Sequence, residues 1–317
     1  MSGVLGLAIG IAALMLISAV SGAASATPVA KAVTKKCTVG KDPEVAGYDP
    51  VTHNMYIPNA MSGTVTVFSG KCTLVKTIKL PSGSDPIQAA FDPQNNRMYV
   101  TDYVLNQVYD IKGTKIAATI TGFDAPYGIT YDPGDEVLAV ANNYGDTVSF
   151  VLGTNIVGGE SVGAYPNFIG YDPFQGTLLV TNFGSANVTI INAVSLGHMG
   201  DEPVGSEPAG VAFDYANSLD YVTNYVSDNV SVIDGLGYRV ATISGFSGPS
   251  FVAWSQASLH MYVTNVVNGK VYEISGYSIV KKVGTSSSGY PVGVTYDEAN
   301  DLMYVTESNS DTVYLLS

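Results

Sequence analysis

The sequence is poor in charged side chains, and most of those present are acidic. Asp, Glu, Lys and Arg make up 13% of its 317 residues, and 27 acids against 14 bases give a formal net charge of −13 at pH 7. Nucleic acids attract positively charged surfaces, so this balance disfavours nonspecific binding to them, and no basic stripe offsets it. We therefore expect no nucleic-acid partner.

Residue types that usually take part in catalysis or metal binding are also scarce. The three histidines, His53, His198 and His260, are far apart in the sequence without metal-ligand spacing, and each is interpreted as a solvated turn residue. No Ser/His/Asp or Cys/His combination converges, and no glycine-rich phosphate loop occurs. The sequence predicts no catalytic residue and no organic cofactor. An enzyme whose site is assembled from distant segments would, however, leave no linear motif.

Helical periodicity is absent after residue 30, and alternation with a period of two takes its place. In one stretch, Asp220–Asn224 and Asn229–Asp234 both alternate apolar and polar residues. Such alternation predicts short strands. Asp-Pro pairs, as at Asp49-Pro50 and Asp92-Pro93, predict the turns between strands, because Asp accepts local N–H groups and Pro presets φ.

One pattern occurs seven times: a proline, an apolar run, an aromatic residue, and then two alternating strands. The aromatic residues lie 40 to 43 positions apart and are Tyr48, Phe91, Tyr131, Tyr171, Phe213, Trp254 and Tyr296. Repeats of this length built from strands are typical of propeller blades. We therefore predict an all-β fold, a seven-bladed β-propeller of four-stranded antiparallel blades, with these aromatics packed in the core between blades.

The two ends of the repeat array complement each other. The seventh repeat ends at Ser317 after its third strand, whereas the β-capable stretch Ala30–Val39 precedes the first repeat. Pairing of that stretch beside Thr312–Leu316 would close the ring and remove open sheet edges. The alternative is that the same strand completes a blade of a neighbouring molecule. The predicted organisation is an N-terminal segment 1–26, a closing or swapped strand within 27–41, and a propeller over 42–317.

The first 30 residues carry no charged side chain. An apolar run over Val4–Val20 followed by Ala24-Ser25-Ala26 predicts a secretory signal peptide over residues 1–26, and the alternative is a retained membrane anchor. Either interpretation places the protein outside the cell, at the cell surface.

Tyr-Val-Thr-Asn stands at Tyr221–Asn224 and Tyr262–Asn265, and variants such as Tyr99–Asp102 and Tyr304–Glu307 occupy the same place in other repeats. With these residues the chain, over about residues 42–317, resembles the YVTN-family β-propellers, which are best represented in archaeal surface-layer and other cell-surface proteins. The resemblance implies a propeller fold and a cell-surface role, with partners that are other copies of the chain or other surface proteins. It implies no activity, because the motif is architectural.

Two modifications are suggested by the secreted context. The N-glycosylation motifs Asn187-Val-Thr189 and Asn229-Val-Ser231 occupy the same place in repeats four and five. The chain also has two cysteines, Cys37 and Cys72, and an isolated pair in an oxidising compartment favours a disulfide. The repeat register opposes it, because it places the pair near opposite rims, ~15–20 Å apart by strand rise. A disulfide would then mean that the N-terminal segment is clamped onto blade one instead of filling blade seven.

Two sets of polar residues are candidates for a site. Asp42, Glu44 and Asp85 stand beside the prolines that open the first two repeats, with Asp124 and Glu207 further round the ring. Clustered carboxylates suit Ca²⁺, and the alternative is a solvated acidic rim. The second set is the Asn, Asp or Glu that ends each second strand, which we interpret as a cap on its own turn.

Three functions remain open. The leading hypothesis is a noncatalytic, secreted surface propeller with a structural, assembly or adhesion role. The second is an extracellular hydrolase or lyase with a metal at the channel mouth. The third is a carbohydrate-binding module that uses exposed tyrosines as stacking platforms.

Overall fold

The computed structural model describes residues 32–286 and 289–317. The predicted signal peptide or anchor over residues 1–26 lies outside the described residues. Among the described residues, no helix is long and apolar enough to span a bilayer.

The described residues form short strands throughout, together with the 3₁₀ helix Ser308–Ser310. In chain order, strands β1 to β28 are Val33–Thr38, Gly47–Asp49, Asn54–Asn59, Thr64–Ser69, Thr73–Lys79, Pro86–Asp92, Arg97–Asp102, Gln107–Lys112, Lys115–Thr121, Pro126–Asp132, Val137–Asn142, Thr147–Leu152, Asn155–Ser161, Pro166–Asp172, Thr177–Asn182, Asn187–Asn192, His198–Pro203, Pro208–Asp214, Leu219–Asn224, Asn229–Asp234, Arg239–Ser244, Pro249–Ser255, His260–Asn265, Lys270–Ser275, Ser278–Gly284, Pro291–Asp297, Leu302–Glu307 and Thr312–Leu316.

These strands form seven four-stranded antiparallel sheets, the blades of a propeller. Blade one is β2–β5, and each following group of four strands makes the next blade through β22–β25 in blade six. The first strands of neighbouring blades contact each other around the ring, so they lie innermost and surround the channel. The predicted fold class is confirmed.

The seventh blade combines the two ends of the described chain. β1 pairs antiparallel with β28, with Lys36 opposite Tyr314 and Cys37 opposite Val313, which gives the order β26, β27, β28, β1. Ring closure by the N-terminal strand is thus confirmed, with Val33–Thr38 as the strand within the predicted stretch.

Cys37 and Cys72 form a disulfide, with their Cα atoms 6.2 Å apart. The expectation that they lie near opposite rims is therefore wrong. It compared positions along a single blade, whereas Cys37 belongs to blade seven and Cys72 to the turn between β4 and β5 of blade one, and sheet twist rotates such outer segments relative to each other. The expected choice between filling blade seven and clamping onto blade one is also wrong, because β1 does both.

The tyrosine of the Tyr-Val-Thr-Asn strand fastens one blade to the next. In four blades its side chain is at most 1% exposed, and its hydroxyl donates to a glycine carbonyl in the outer hairpin of the following blade. The pairs are Tyr56 and Gly113, Tyr99 and Gly153, Tyr221 and Gly276, and Tyr304 and Gly70. Each bond satisfies a buried phenol and holds two sheets in register.

The three remaining blades depart from this contact for visible reasons. Blades three and four carry Ala139 and Leu179 at this position. In blade six, Tyr262 donates to Ser258 of its own blade. Its neighbour is blade seven, where β28 and β1 come from opposite ends of the chain and no hairpin offers a glycine carbonyl.

The aromatics that define the repeat are less buried than expected. Phe213 is 5% exposed, but Tyr131 and Trp254 are only partly buried and pack at the margins of the inter-blade clusters. The interpretation of these residues as core is wrong for most blades. The fully buried aromatic position is the tyrosine one strand later.

Breaking the disulfide should destabilise the closed ring. We expect the double variant Cys37→Ser and Cys72→Ser to lower the free energy of unfolding by about 4 kcal/mol, because the bond joins residues 35 positions apart and so restricts the unfolded chain. Denaturant unfolding of both proteins without reductant measures the difference. An unchanged value would show that β28 alone holds β1 in place.

Candidate ligand site at the channel mouth

The channel mouth is the rim where the first strand of each blade begins. It is built from the loops that join blades and from the hairpins between second and third strands. In every blade the residue after the second strand donates its N–H to a carbonyl of the inter-blade loop, at 2.8–3.0 Å. The pairs are Ala60 to Asp42, Tyr103 to Asp85, Asn143 to Ala125, Phe183 to Tyr165, Tyr225 to Glu207, Val266 to Gly248 and Ser308 to Tyr290. These bonds hold both segments in one repeated geometry.

The strand-end residues lie beneath this rim, and their role differs from the prediction. Asn59, Asn182, Asn224 and Asn265 are all 0% exposed. Asn59 accepts a hydrogen bond from the Gly40 N–H at 3.1 Å and donates to Thr66 Oγ1 at 3.0 Å. These side chains therefore bridge the inter-blade loop and the third strand instead of capping only their own turn.

The same bridge involves the two glycosylation motifs. Asn182 Nδ2 donates to Asn187 Oδ1 and to Thr189 Oγ1, and Asn224 Nδ2 donates to Asn229 Oδ1. Asn187 and Asn229 are partly buried at the starts of β16 and β20. The Asn-x-Thr/Ser spacing thus has a structural use in this fold, and glycosylation stays a prediction.

An aromatic belt runs across the channel mouth. In the order of their contacts its members are Tyr165, Tyr144, Tyr103, Tyr127, Phe168 and Phe251, and successive ring centroids are 4.9–6.4 Å apart in edge-to-face contacts. Phe168 and Phe251 are buried, whereas Tyr144 and Tyr165 are 62% and 50% exposed. The belt therefore passes from the core to solvent and presents ring surface at its outer end.

A pocket of about 360 Å³ opens beside this belt, lined by Tyr127, Asn143, Tyr165, Asn167 and Phe183. Asn143 Nδ2 donates to the Pro166 carbonyl at 3.1 Å and to Asn167 Oδ1 at 3.2 Å. Two fixed amides thus stand among three aromatic rings. This combination offers both stacking surface and hydrogen-bonding groups to a ligand.

Among the acids of the channel mouth, Glu44 has the pKa that lies furthest from its ordinary value. Burial, together with the nearby carboxylates of Asp42 and Asp85, raises the pKa of Glu44 to about 8. Burial also raises the pKa of Asp85, with Asp102 and Asp42 adding to the effect. Burial raises the pKa of Tyr127 as well, and Glu44 is the largest charge contribution. Glu44 therefore keeps its proton at neutral pH, and a fully solvated acidic rim does not describe it.

The predicted metal ligands are thus neighbours, but they do not form a metal centre in this structure. The described residues contain no group of three or more His, Cys, Asp or Glu side chains placed to hold a metal ion. Binding of Ca²⁺ by Asp42, Glu44 and Asp85 stays a prediction.

The histidines are not all solvated turn residues. His53 Nδ1 shares a hydrogen bond with the Tyr48 hydroxyl. His198 Nε2 lies 3.3 Å from Asp201 Oδ2. His260 begins β23 and lies 2.6 Å from Glu273, which is 6% exposed. Arg97 and Asp110 occupy the same two places in blade two. Because the same pairing occurs in two blades, it is a structural contact between the second and third strands. The interpretation of His260 as a solvated turn residue is therefore wrong.

Sequence reasoning also missed the aromatic belt. Its members come from several blades, and they stand at strand starts, in inter-blade loops and after second strands. The sequence offered one signal of this belt: the chain has 21 tyrosines, and the repeat motif accounts for only some of them.

No family model matches this chain, and no curated protein matches its sequence. Solved structures do match. The chain is similar to virginiamycin B lyase from Staphylococcus aureus, solved as a catalytically inactive variant with quinupristin and as a selenomethionine-substituted form. Each has a TM-score of 0.79 and 14% identity, covering 89% of this chain and 98% of the other.

A streptogramin B lyase structure matches with a TM-score of 0.78 and 12% identity, over 89% of this chain and 96% of that one. At such identity the likeness shows the fold alone. The YVTN family and a surface-layer identity therefore stay a resemblance, and what is shown is a seven-bladed β-propeller.

Glu44 should make stability depend on pH. The folded protein keeps the Glu44 proton to about pH 8, whereas the unfolded chain loses it near 4.5, so the folded state binds more protons between these values. The free energy of unfolding should therefore fall as pH rises through this range. We expect Glu44→Gln to raise it by up to about 5 kcal/mol at pH 9, because each tenfold difference in proton affinity is worth about 1.4 kcal/mol, and to leave it unchanged at pH 4.

Denaturant unfolding across pH 4–9 measures this effect. Asp124→Asn, which changes an exposed carboxylate on the same rim, is the matched control and should leave the pH profile as it is. Identical profiles for wild type and Glu44→Gln would contradict the assignment.

Proposed function

We propose that this chain is a noncatalytic cell-surface propeller with an adhesion role, which binds a carbohydrate at the channel mouth. The pocket lined by three aromatic rings and two asparagine amides carries this proposal. A sugar ring has an apolar face that packs on an aromatic side chain, and hydroxyls that bond to amides and carboxyls. Tyr165 is the outermost ring of the pocket and the one most open to solvent.

The secreted, extracellular setting rests on the composition of residues 1–26 and belongs to the same proposal. A neutral ligand also agrees with the charge of the mouth. Glu44 carries a proton at neutral pH and can donate a hydrogen bond, whereas Asp42 and its neighbours disfavour anions.

A second candidate function is a lyase or hydrolase at the same mouth. The raised pKa of Glu44 favours it, because a carboxyl that titrates near neutral pH can transfer protons in either direction. The solved propellers named above are lyases, and one was solved with quinupristin. Incubation of the chain with quinupristin, followed by chromatography coupled to mass spectrometry to detect any converted product, tests this function. Product formed by wild type and lost in Glu44→Gln would support it.

Self-association by exchange of β1 is a further proposal about partners. Within one chain β1 already fills blade seven and is joined to blade one by the disulfide. Exchange would require the same pairing and the same bond between subunits. Native protein that migrates as disulfide-linked oligomers without reductant would support it.

Carbohydrate binding should depend on Tyr165. We expect isothermal titration with a panel of neutral hexoses, N-acetylhexosamines and their oligomers to find a ligand whose affinity falls by a factor of about 10 or more in Tyr165→Ala, equivalent to about 1.4 kcal/mol. Tyr277→Ala is the matched control, because Tyr277 is 54% exposed against 50% for Tyr165 and lies in the outer hairpin of blade six. Equal loss in both variants, or no binding across the panel, would count against the proposal.

A further inference from the structure

A second pocket lies between blades four and five, on the rim opposite the channel mouth. This blade 4/5 pocket has a volume of about 240 Å³. It is lined by residues of all four strands of blade four, β14 to β17, and by β19, β20 and the turn between β20 and β21 of blade five. It is independent of the candidate carbohydrate site, since the two share no residue.

The pocket forms where two repeat positions change together. Leu179 takes the place of the tyrosine that fastens other blades to their neighbours, so the groove lacks that buried phenol. Its one tyrosine, Tyr238, stands in the outer turn of blade five and is 64% exposed. Asp220 takes a place that is apolar in every other repeat. The residues there are Met55, Met98, Leu138, Leu178, Met261 and Met303.

Asp220 is a buried acid without a full set of partners. Its side chain is 2% exposed and lines the pocket, and its Oδ1 atom has no hydrogen-bond partner. Burial raises the pKa of Asp220 well above its usual range, and the nearby Asp172 carboxylate adds to the effect. A buried polar atom that lacks a partner destabilises the fold, so a ligand that supplies the missing contact would be favoured.

The other acids of the pocket are held in place by bonds of their own. Asp172 Oδ1 accepts the N–H groups of Phe174 and Gln175, and Asp201 Oδ1 accepts the Thr189 hydroxyl. Asp234 and Glu202 also line the pocket, whereas its lining includes no Lys, Arg or His. Five carboxyl groups thus surround one small cavity with walls that are partly apolar.

We propose that the blade 4/5 pocket binds an aliphatic ammonium ion, such as a diamine or a lysine-like side chain. One ammonium group donates to Asp220 Oδ1. The methylene chain packs on Leu179, Ile190 and Ile233, and a second ammonium faces Glu202 and the exposed Asp201. The Asp201 Oδ2 atom also lies 3.3 Å from His198 Nε2, so the ammonium shares this carboxylate with the histidine.

A comparison within the molecule supports this chemistry. The corresponding groove between blades one and two is lined by Tyr56, Met98 and Lys112. There the tyrosine occupies the wall, Met98 stands at the repeat position of Asp220, and Lys112 supplies a cation beside Asp49, the one acid of that lining. A bare metal ion fits the blade 4/5 pocket less well, because no three ligand-type side chains in the described parts of the chain are placed around one point.

The test uses 1,5-diaminopentane in isothermal titration and thermal unfolding. Wild type should bind it, whereas 1-pentanol and CaCl₂ should give no comparable signal. Asp220→Met, which restores the residue type of the other repeats, should weaken binding at least about tenfold. It should also raise the melting temperature of the free protein, because the buried carboxyl is gone. A folding failure is thus distinguished from a loss of the site.

Two further variants sharpen the result. Leu179→Tyr should place a phenol in the groove and block binding while the fold is kept. Asp135→Asn removes one exposed charge on the same rim outside the pocket and should bind the diamine as wild type does. The proposal is overturned if wild type does not bind the diamine, if Asp220→Met binds it equally well, or if 1-pentanol binds as tightly.

Discussion

Pairing of β1 with β28 is the interaction on which the rest of the propeller depends. Seven sheets stacked radially bury their faces against one another only if the ring closes, and the seventh sheet is complete only with a strand from the other end of the chain. The Cys37–Cys72 bond secures that strand to blade one as well. One segment therefore closes the seventh sheet and fastens the ring across its seam.

The contacts between blades repeat, and the exceptions carry information. Where a tyrosine hydroxyl reaches a glycine carbonyl of the next blade, the groove is filled and fixed. Where Leu179 stands instead, the neighbouring groove is open and contains the one buried Asp at its repeat position. Asp220 is a buried acid that destabilises the fold, whereas the other six repeats have an apolar residue at its position. Such a destabilising departure from the repeat is expected at a functional site.

The two rims differ in chemistry. At the channel mouth the acids are close enough to keep a proton on Glu44, and aromatic rings dominate the accessible surface. On the opposite rim, acids surround a cavity that has no lining base. The first arrangement suits a neutral ligand with apolar faces and hydroxyls, and the second suits a cation. One scaffold can therefore present two unlike surfaces, because each blade contributes different loops to each rim.

The sequence by itself determined the fold class, the number of blades and the closing strand, since strand alternation and a regular repeat length are local and recur seven times. It also identified Asp42, Glu44 and Asp85 as a group, because the prolines fix where each blade enters the channel. The tertiary structure decided the burial and the electrostatic surroundings of these residues. The pKa of Glu44 depends on how deeply the channel buries it, and the proximity of Cys37 to Cys72 depends on the packing of two adjacent blades.

The aromatic belt and the acids around Asp220 were likewise settled only in three dimensions. Their members come from different repeats, and no local pattern records which side chains of neighbouring blades face each other. Asp220 could have been noticed as the one acid at an apolar position of the repeat. That its Oδ1 lacks a partner, and that Leu179 leaves a groove beside it, follows only from how the blades pack.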